Sequence, residues 1–140
     1  MSDALENVKS LIPQREPFLF VNSVIETTDK TITTNYKVTG DEDFFKGHFP
    51  GNPIVPGVIL QEALFQTGAC LMASGDTPGL GVVTKVTNAR FKNLVKPGDE
   101  LLMEVSLVDQ LDNAYFFKGK TKVNGKTVVG IEFTCAKIAE

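Results

Sequence analysis

Tryptophan is absent from this sequence of 140 residues, and histidine and cysteine are scarce, with one and two residues respectively. The cysteines, Cys70 and Cys135, lie far apart and form no C-x-x-C pair, so we expect two small buried side chains rather than a metal or redox site. The acidic run Asp41–Asp43 could suggest a metal ion, but three adjacent acidic residues rarely converge on one ion. The sequence therefore predicts an exposed loop there and no metal.

Positive charge and long apolar runs are also lacking. The chain has 14 Lys and Arg against 17 Asp and Glu, a formal net charge of −3, whereas nucleic-acid binding needs a surplus of cations. The longest apolar run is interrupted by Gln61, Glu62 and Gln66, so it falls short of the roughly 18 residues that span a bilayer. Residues 1–7 lack the basic start and apolar stretch of a secretory signal. We expect a cytoplasmic protein with no integral membrane segment and no nucleic-acid partner.

The length and the 42% hydrophobic content fit one globular domain over residues 1–140. The spacing of apolar residues predicts a short amphipathic helix over Ala4–Leu11. Six segments have the β-branched and aromatic content of strands and are separated by short polar turns. They span Phe18–Thr27, Thr31–Val38, Gly81–Phe91, Glu100–Gln110, Tyr115–Val123 and Thr127–Ile138. The Asn124-Gly125 pair is the strongest hairpin signal among the turns.

A second helix is predicted over Gly57–Ala73, which contains no proline and has 11 apolar residues among 17. Apolar residues lie on most of its sides, so protein must surround it. Two strands, a buried helix and four hairpin-linked strands indicate an α+β fold in which an antiparallel sheet curls around the helix. One face of a six-stranded sheet shields only part of the helix, so we expect at least a dimer.

The only histidine lies in a segment that is rich in glycine and proline. Residues 47–57 hold three prolines and three glycines around His48, which specifies a fixed, irregular backbone. The segment leads into the predicted helix at Gly57, whose first free N–H groups carry the positive end of the helix dipole. This arrangement can stabilise a developing oxyanion.

Two polar residues interrupt the apolar helix, Glu62 and Gln66, four positions apart and therefore on one face. Burial would raise the pKa of the Glu62 carboxyl and keep it protonated, so that it could act as an acid while a neutral His48 acts as a base. The alternatives are structural: a hydrogen-bonded histidine in a turn, and a glutamate paired with an arginine.

The segment 47–58, GHFPGNPIVPGV, followed by Glu62-Ala63 and Gln66, resembles the FabZ-type (3R)-hydroxyacyl-[acyl-carrier-protein] dehydratases of type II fatty acid synthesis. The resemblance continues through Ala89–Lys92 and Val95–Asp99 and extends back to Pro17–Val21, so it covers nearly the whole chain.

The resemblance implies a hot-dog fold that dimerises so that His48 of one chain faces Glu62 of the other. It implies a lyase in which His48 removes the α-proton of a 3-hydroxyacyl thioester and Glu62 helps the hydroxyl leave as water, which yields a trans-2-enoyl thioester. By the same resemblance the Ile54 carbonyl holds one imidazole N–H and Gln66 orients Glu62. The substrate-side contacts fall to Gly57 and Val58 at the helix start and to Phe49.

The resemblance further implies that no cofactor is needed, because acyl carrier protein delivers the substrate on its phosphopantetheine arm. Between residues 85 and 97 the charged residues are all basic, namely Lys85, Arg90, Lys92 and Lys96. This patch could dock an acidic carrier; a merely solvated hairpin is the alternative.

Three positions depart from the family pattern. Many relatives have His in place of Gln14, Asp in place of Asn22 and a gating aromatic near Val82, so acyl chain length stays open. Glu62, where dehydratase-isomerases usually have Asp, favours dehydration without isomerisation. Other readings are a dehydratase of aryl polyene or polyunsaturated synthesis, a dehydratase-isomerase, a hot-dog thioesterase or a non-catalytic carrier-binding module. The assembly could be a homodimer or a trimer of dimers.

Overall fold

The computed structural model describes residues 2–74 and 80–138. Its elements in chain order are α1 (Ser2–Leu11), β1 (Ser23–Thr27), β2 (Thr31–Lys37), a 3₁₀ turn (Asp43–Lys46), α2 (Gly57–Ala73), β3 (Leu80–Phe91), β4 (Glu100–Leu111), β5 (Ala114–Val123) and β6 (Lys126–Ile138). The limits of α2 are those that the sequence predicts, and five of the six strands lie within one residue of their predicted limits.

The strands form one antiparallel sheet in the order β1-β2-β4-β5-β6-β3. Helix α2 packs on its inner face. The alternation of side chains along β4 explains this packing. Leu101, Met103 and Val105 are buried on the inner face, whereas Glu104 points to the outer face. The predicted α+β architecture, an antiparallel sheet around a long helix, is confirmed.

The β5–β6 hairpin turns at Asn124 and Gly125, as predicted. Both residues have positive φ, 51° and 81°, which is the conformation of a type I′ turn and matches the twist of the flanking strands. Asparagine and glycine tolerate this conformation better than other residues.

The first strand is shorter than predicted, because it begins at Ser23 rather than at Phe18. The backbone at Phe18 and Phe20 is paired with a helix side chain instead of a strand. The N–H of Phe20 donates to Oε1 of Gln66 at 2.8 Å, and the carbonyl of Phe18 accepts from Nε2 of Gln66 at 2.9 Å. The sheet ladder starts only at Ser23, which pairs with Asn35.

The sheet leaves one stripe of α2 uncovered. Leu60, Ala63 and Leu64 are buried, whereas Val58 is 69% exposed. Three further side chains continue the stripe along the helix and are only half-buried, namely Glu62, Phe65 and Ala69. The facing edge strand β3 is also open, since Val83 and Val86 are exposed although they point to the inner face. A single chain therefore does not surround its central helix.

Candidate active site

The glycine- and proline-rich loop adopts a defined turn at Phe49–Asn52. The N–H of Asn52 donates to the carbonyl of Phe49 at 2.9 Å. Pro50 and Gly51 occupy the two central positions, and Gly51 has φ 89°. This is the arrangement of a type II turn, which requires positive φ at its third residue.

His48 is held at both its backbone and its ring. Its N–H donates to the carbonyl of Phe44 at 3.1 Å, and Nδ1 lies 2.9 Å from the carbonyl oxygen of Ile54. A carbonyl can only accept, so Nδ1 carries the hydrogen and the lone pair of a neutral ring is on Nε2. The contact between His48 and Ile54 is the one that the family resemblance implies.

A cavity of about 270 Å³ adjoins His48 and is bounded by the start of α2 and the end of β3. Its lining includes His48, Phe49, Ile54, Gly57, Phe91 and Leu94. The N–H groups of Gly57 and Val58 have no acceptor in residues 2–74 and 80–138, and the first turn of α2 has no acidic residue. The helix therefore presents free donors and a positive dipole end at this cavity.

Phe91 approaches the start of α2 closely. A Cβ added to Gly57 would lie 3.1 Å from Cε1 of Phe91, so a larger residue there would require the ring to move by a few tenths of an ångström. Phe91 was not among the predicted site residues, although it lies in Ala89–Lys92, one of the segments that carry the family resemblance.

Glu62 lies on another side of α2 and does not line the cavity. Five residues separate it from Gly57, which rotates its side chain by about 140° around the helix. Its Oε2 accepts a hydrogen bond from Nε2 of Gln66 at 3.1 Å. Burial raises the pKa of the Glu62 carboxyl, and the hydrogen bond from Gln66 only partly opposes that rise.

Gln66 has a fixed orientation because its amide is bonded to backbone on both sides. The residue is fully buried; Oε1 accepts from the N–H of Phe20, and Nε2 donates to the carbonyl of Phe18. A backbone N–H can only donate and a carbonyl can only accept, so Gln66 must present an N–H to Glu62. When Glu62 binds a proton, Oε1 is the oxygen available to carry it, because Gln66 donates to Oε2.

The predicted site residues form two groups in this chain. His48, Phe49, Ile54 and Gly57 meet at the cavity, and Val58 lies beside it in the first turn of α2. Glu62 and Gln66 form a separate group one turn further along the helix. Neither Glu62 nor Gln66 is in the lining of the cavity beside His48.

The predicted basic patch is divided. Arg90 and Lys92 line one depression on the outer face of the sheet, and Lys85 lines its neighbour. Lys96 is outside both, because the chain turns away after β3; its N–H donates to the side chain of Asp99 in the following turn.

A second residue that the sequence analysis missed is Glu42, which fixes the backbone ahead of His48. Its carboxylate accepts from the Tyr36 hydroxyl at 2.7 Å, from the Thr39 N–H at 3.0 Å and from the Gly40 N–H at 2.9 Å. Burial alone would raise the pKa of Glu42, but these hydrogen bonds outweigh it and the pKa lies below its usual range. Because this residue is held in place, the run Asp41–Asp43 is not simply an exposed loop.

The structure gives a role to one of the three departures from the family pattern. Oδ1 of Asn22 accepts the N–H of Lys37 at 2.7 Å, a bond that an aspartate would make equally well. Oε1 of Gln14 is buried without a partner in the described residues, and Val82 is 40% exposed on β3. Nothing in the structure explains the change at Gln14.

Residues 2–74 and 80–138 contain no group of three His, Cys, Asp or Glu placed as metal ligands. Burial raises the pKa of the Cys70 and Cys135 thiols to about 12, so both stay protonated. None of the helices in this part of the chain has the length and hydropathy that crossing a bilayer requires.

Known proteins match this chain over most of its length. A family model described as "FabA-like domain" matches residues 12–132. The 3-hydroxyacyl-[acyl-carrier-protein] dehydratase FabZ of Halalkalibacterium halodurans is 42% identical over 127 residues, covering 89% of this chain and 91% of that protein. The protein of the same name from Xanthomonas campestris is 39% identical over 142 residues, covering 97% and 93%.

Solved structures of low sequence identity share the fold. A chain of the dehydratase heterocomplex ApeI:P from Xenorhabdus doucetiae superimposes with a TM-score of 0.83 at 17% identity, covering 95% of this chain and 91% of the other. A hypothetical thioesterase with coenzyme A from Streptococcus pneumoniae gives a TM-score of 0.66 at 18% identity, covering 100% and 98%. These likenesses establish the hot-dog fold. With the family match and the identity to the FabZ proteins, the chain belongs to the FabA-like family and, within it, to the FabZ-type 3-hydroxyacyl-[acyl-carrier-protein] dehydratases.

Proposed function

We propose that this protein dehydrates (3R)-3-hydroxyacyl thioesters of acyl carrier protein to trans-2-enoyl thioesters in type II fatty acid synthesis. The observation that carries the proposal is the His48 ring, whose Nδ1 is held by the Ile54 carbonyl at 2.9 Å while the ring adjoins a cavity at the start of α2. The names of its relatives agree with this activity.

His48 acts as the base. With Nδ1–H bonded to Ile54, Nε2 removes the proton from the carbon next to the thioester carbonyl. That proton is acidic only while the carbonyl is polarised, and the free N–H groups of Gly57 and Val58 can take up the charge that develops on the oxygen.

Glu62 acts as the acid. Its raised pKa keeps a proton available on Oε1, which passes to the β-hydroxyl as the carbon–oxygen bond breaks and water leaves. The electrons of the broken C–H bond form the new double bond. The proton now on His48 returns to Glu62 through water, so the pair is restored without any cofactor or metal.

A second copy of the chain supplies the missing partner of each group. His48 and Glu62 face different sides of α2 within one chain, so each can meet its counterpart only from another subunit. The uncovered stripe of α2 and the exposed valines of β3 provide apolar surface for this contact. We propose a cytoplasmic homodimer of single-domain chains, with a trimer of dimers as a possible larger assembly.

Mixing two inactive variants tests both the dyad and its subunit arrangement. The assay follows loss of the ultraviolet absorbance of a conjugated enoyl thioester as the enzyme hydrates it. His48→Ala and Glu62→Gln should each be nearly inactive. After co-refolding in equal amounts, half of the dimers are mixed and each of these has one intact site, so about one quarter of wild-type activity should return.

Three results would contradict the proposal. Full activity in both single variants would eliminate the dyad, and no recovery on mixing would place both residues of the dyad in one chain. Release of free thiol from the substrate would identify a thioesterase instead.

A further inference from the structure

Phe20 lies at the centre of a cluster of aromatic rings beside the turn that precedes His48. Its side chain is 2% exposed. Its ring contacts the rings of Phe18, Tyr36 and Phe44 at centroid distances of 5.1, 5.9 and 6.0 Å. Because protein interiors are close-packed, a ring enclosed in this way cannot shift without moving its neighbours.

The backbone of Phe20 leads to the acid of the proposed mechanism. Its N–H donates to Oε1 of Gln66 at 2.8 Å, and Nε2 of Gln66 donates to Oε2 of Glu62 at 3.1 Å. Gln66 is fully buried, so solvent cannot replace a lost hydrogen bond to Phe20. The position of the Phe20 backbone therefore determines where Gln66 presents its N–H to Glu62.

The ring of Phe20 leads to the base along two routes. On the first route it packs against Phe44, whose carbonyl accepts the N–H of His48 at 3.1 Å. On the second route it packs edge-on against Tyr36, whose hydroxyl donates to Glu42 at 2.7 Å. Glu42 is the residue directly before the 3₁₀ turn Asp43–Lys46. Both routes therefore end at the turn that carries the backbone of His48.

We propose that Phe20 is a positioning residue for both Glu62 and His48 of its own chain. The inference rests on the proposed function, in which these two groups act in different active sites of the dimer. One ring in each subunit therefore supports the acid of one site and the base of the other. Phe20 does not line the cavity beside His48, so it acts through Gln66 and Phe44 and not on the substrate.

A mixed dimer with a single active site tests the two roles of Phe20 separately. One subunit carries Glu62→Gln and supplies only the base, and the other carries His48→Ala and supplies only the acid. Coexpression with two different affinity tags isolates this mixed dimer. Phe20→Leu is then introduced into one subunit or the other, and kcat for dehydration is measured across pH from the gain of enoyl absorbance.

Each placement of Phe20→Leu has its own expected result. In the acid-supplying subunit it should lower kcat about three- to tenfold. It should also move the alkaline limb of the pH profile to higher pH, because a weaker hydrogen bond from Gln66 stabilises the Glu62 carboxylate less. In the base-supplying subunit it should lower kcat by a similar factor and leave the alkaline limb in place.

Phe44→Leu is a second variant that decides the test if Phe20→Leu does not fold. Phe44 is only half-buried and contacts the Phe20 ring from the side of the turn. Phe44→Leu should lower kcat in both placements, with the smaller effect in the acid-supplying subunit, because there it acts only through Phe20.

Two other leucine variants are matched controls. Phe45 lies in the same turn, but within residues 2–74 and 80–138 its ring contacts that of Phe44 and not that of Phe20. Phe45→Leu should therefore leave kcat unchanged in the acid-supplying subunit. Phe117 is also 2% exposed but packs against Phe133, so Phe117→Leu should leave the alkaline limb in place in either subunit.

An unchanged kcat with Phe20→Leu in either subunit would overturn the proposal. An equal shift of the alkaline limb in Phe117→Leu would do the same, because it would assign the shift to a general loosening of the core. The mixed dimer without further substitutions should retain about half of the wild-type activity. If it has none, the cross-subunit arrangement of the proposed function is wrong and this inference fails with it, an outcome distinct from a Phe20 variant that behaves like its parent.

Discussion

Single residues of the site are positioned by backbone groups far away in the sequence. Gln66 illustrates this, because its amide is bonded to the backbone of Phe18 and Phe20 and only its remaining N–H is left for Glu62. Glu62, the proposed acid, is thus oriented through Gln66 by the segment that precedes β1. Helical spacing alone predicts that Glu62 and Gln66 are neighbours, but nothing local in the sequence indicates the contacts with residues 18 and 20.

Replacement of Gln66 by methionine should change the pH dependence of catalysis. The lost hydrogen bond stabilises the Glu62 carboxylate, so the pKa of Glu62 should rise further and the alkaline limb of the kcat profile should move to higher pH. The orphaned groups at Phe18 and Phe20 should also lower the free energy of unfolding by about 2–4 kcal/mol.

Gln61→Met is the matched control, because Gln61 is adjacent on α2 and its side chain makes no hydrogen bond in the described residues. The pH profile of kcat and denaturant unfolding measure the two effects. An unshifted alkaline limb in Gln66→Met would argue against control of the Glu62 pKa by Gln66.

Glu42 should stabilise the protein in a pH-dependent way. Its pKa is lowered in the fold, so its contribution is present above the unfolded pKa and is lost as the pH falls through the folded value. Glu42→Gln should reduce the free energy of unfolding by about 1–3 kcal/mol at neutral pH and flatten its decline in acid. Asp41→Asn, which removes the same charge from an exposed neighbour, should do neither; equal effects of both variants in denaturant titrations would contradict this role.

At the scale of secondary-structure elements, helix α2 depends on close contact with β6. Gly68 faces Phe133, and a Cβ there would lie 3.0 Å from Cζ of the ring. Alanine is favoured over glycine in a helix by about 1 kcal/mol, but displacement of a packed aromatic ring costs about 1–3 kcal/mol. Whether alanine at position 68 raises or lowers the free energy of unfolding therefore depends on the packing against the Phe133 ring.

Gly68→Ala should destabilise the protein by about 1–2 kcal/mol in thermal or denaturant unfolding. Adding Phe133→Leu makes room for the new methyl group, so the double variant should show a favourable coupling energy relative to the sum of the single variants. Strict additivity would mean that the ring does not limit the helix position.

Elements with a strong local pattern could be predicted from sequence, and the others could not. The limits of α2 could be predicted from an apolar segment without proline, and the β5–β6 turn could be predicted from Asn124-Gly125. The predicted start of β1 was wrong. Phe18 is an aromatic residue of the kind common in strands, but its carbonyl accepts a hydrogen bond from the Gln66 side chain instead of from a neighbouring strand. The bulge at Asn88 was also missed, since it depends on the register between β3 and β6 and not on local composition.

At the scale of the whole molecule, the open edge of β3 is the feature that we expect to determine assembly. The strand has 12 residues and pairs on one side only, with β6. A long edge strand with exposed valines pairs readily with another chain. The apolar helix leads to the expectation of a second subunit, which stays a prediction, whereas the edge that such a subunit would cover became visible only in the folded chain.

Val86→Glu should shift the protein toward monomers and greatly reduce activity, because a charge would be buried in the proposed interface. Val108→Glu is the control, since Val108 is 66% exposed on the outer face and should tolerate the charge. Sedimentation velocity reports the mass and the enoyl hydration assay reports the activity. A fully active monomeric Val86→Glu variant would refute the cross-subunit site.

The bulge in β3 absorbs one extra residue without exchanging the two faces of the strand. Thr87 and Arg90 are three positions apart, yet they pair with Glu132 and Gly130, which are two positions apart, so Arg90 stays on the outer face and Phe91 on the inner one. Loss of one residue at the bulge would leave a regular ladder with the same faces, whereas loss of one residue in a regular part of the strand would exchange the faces on one side of the change. We therefore expect descendants of this protein to tolerate a one-residue deletion between Thr87 and Arg90 but not in the regular parts of β3.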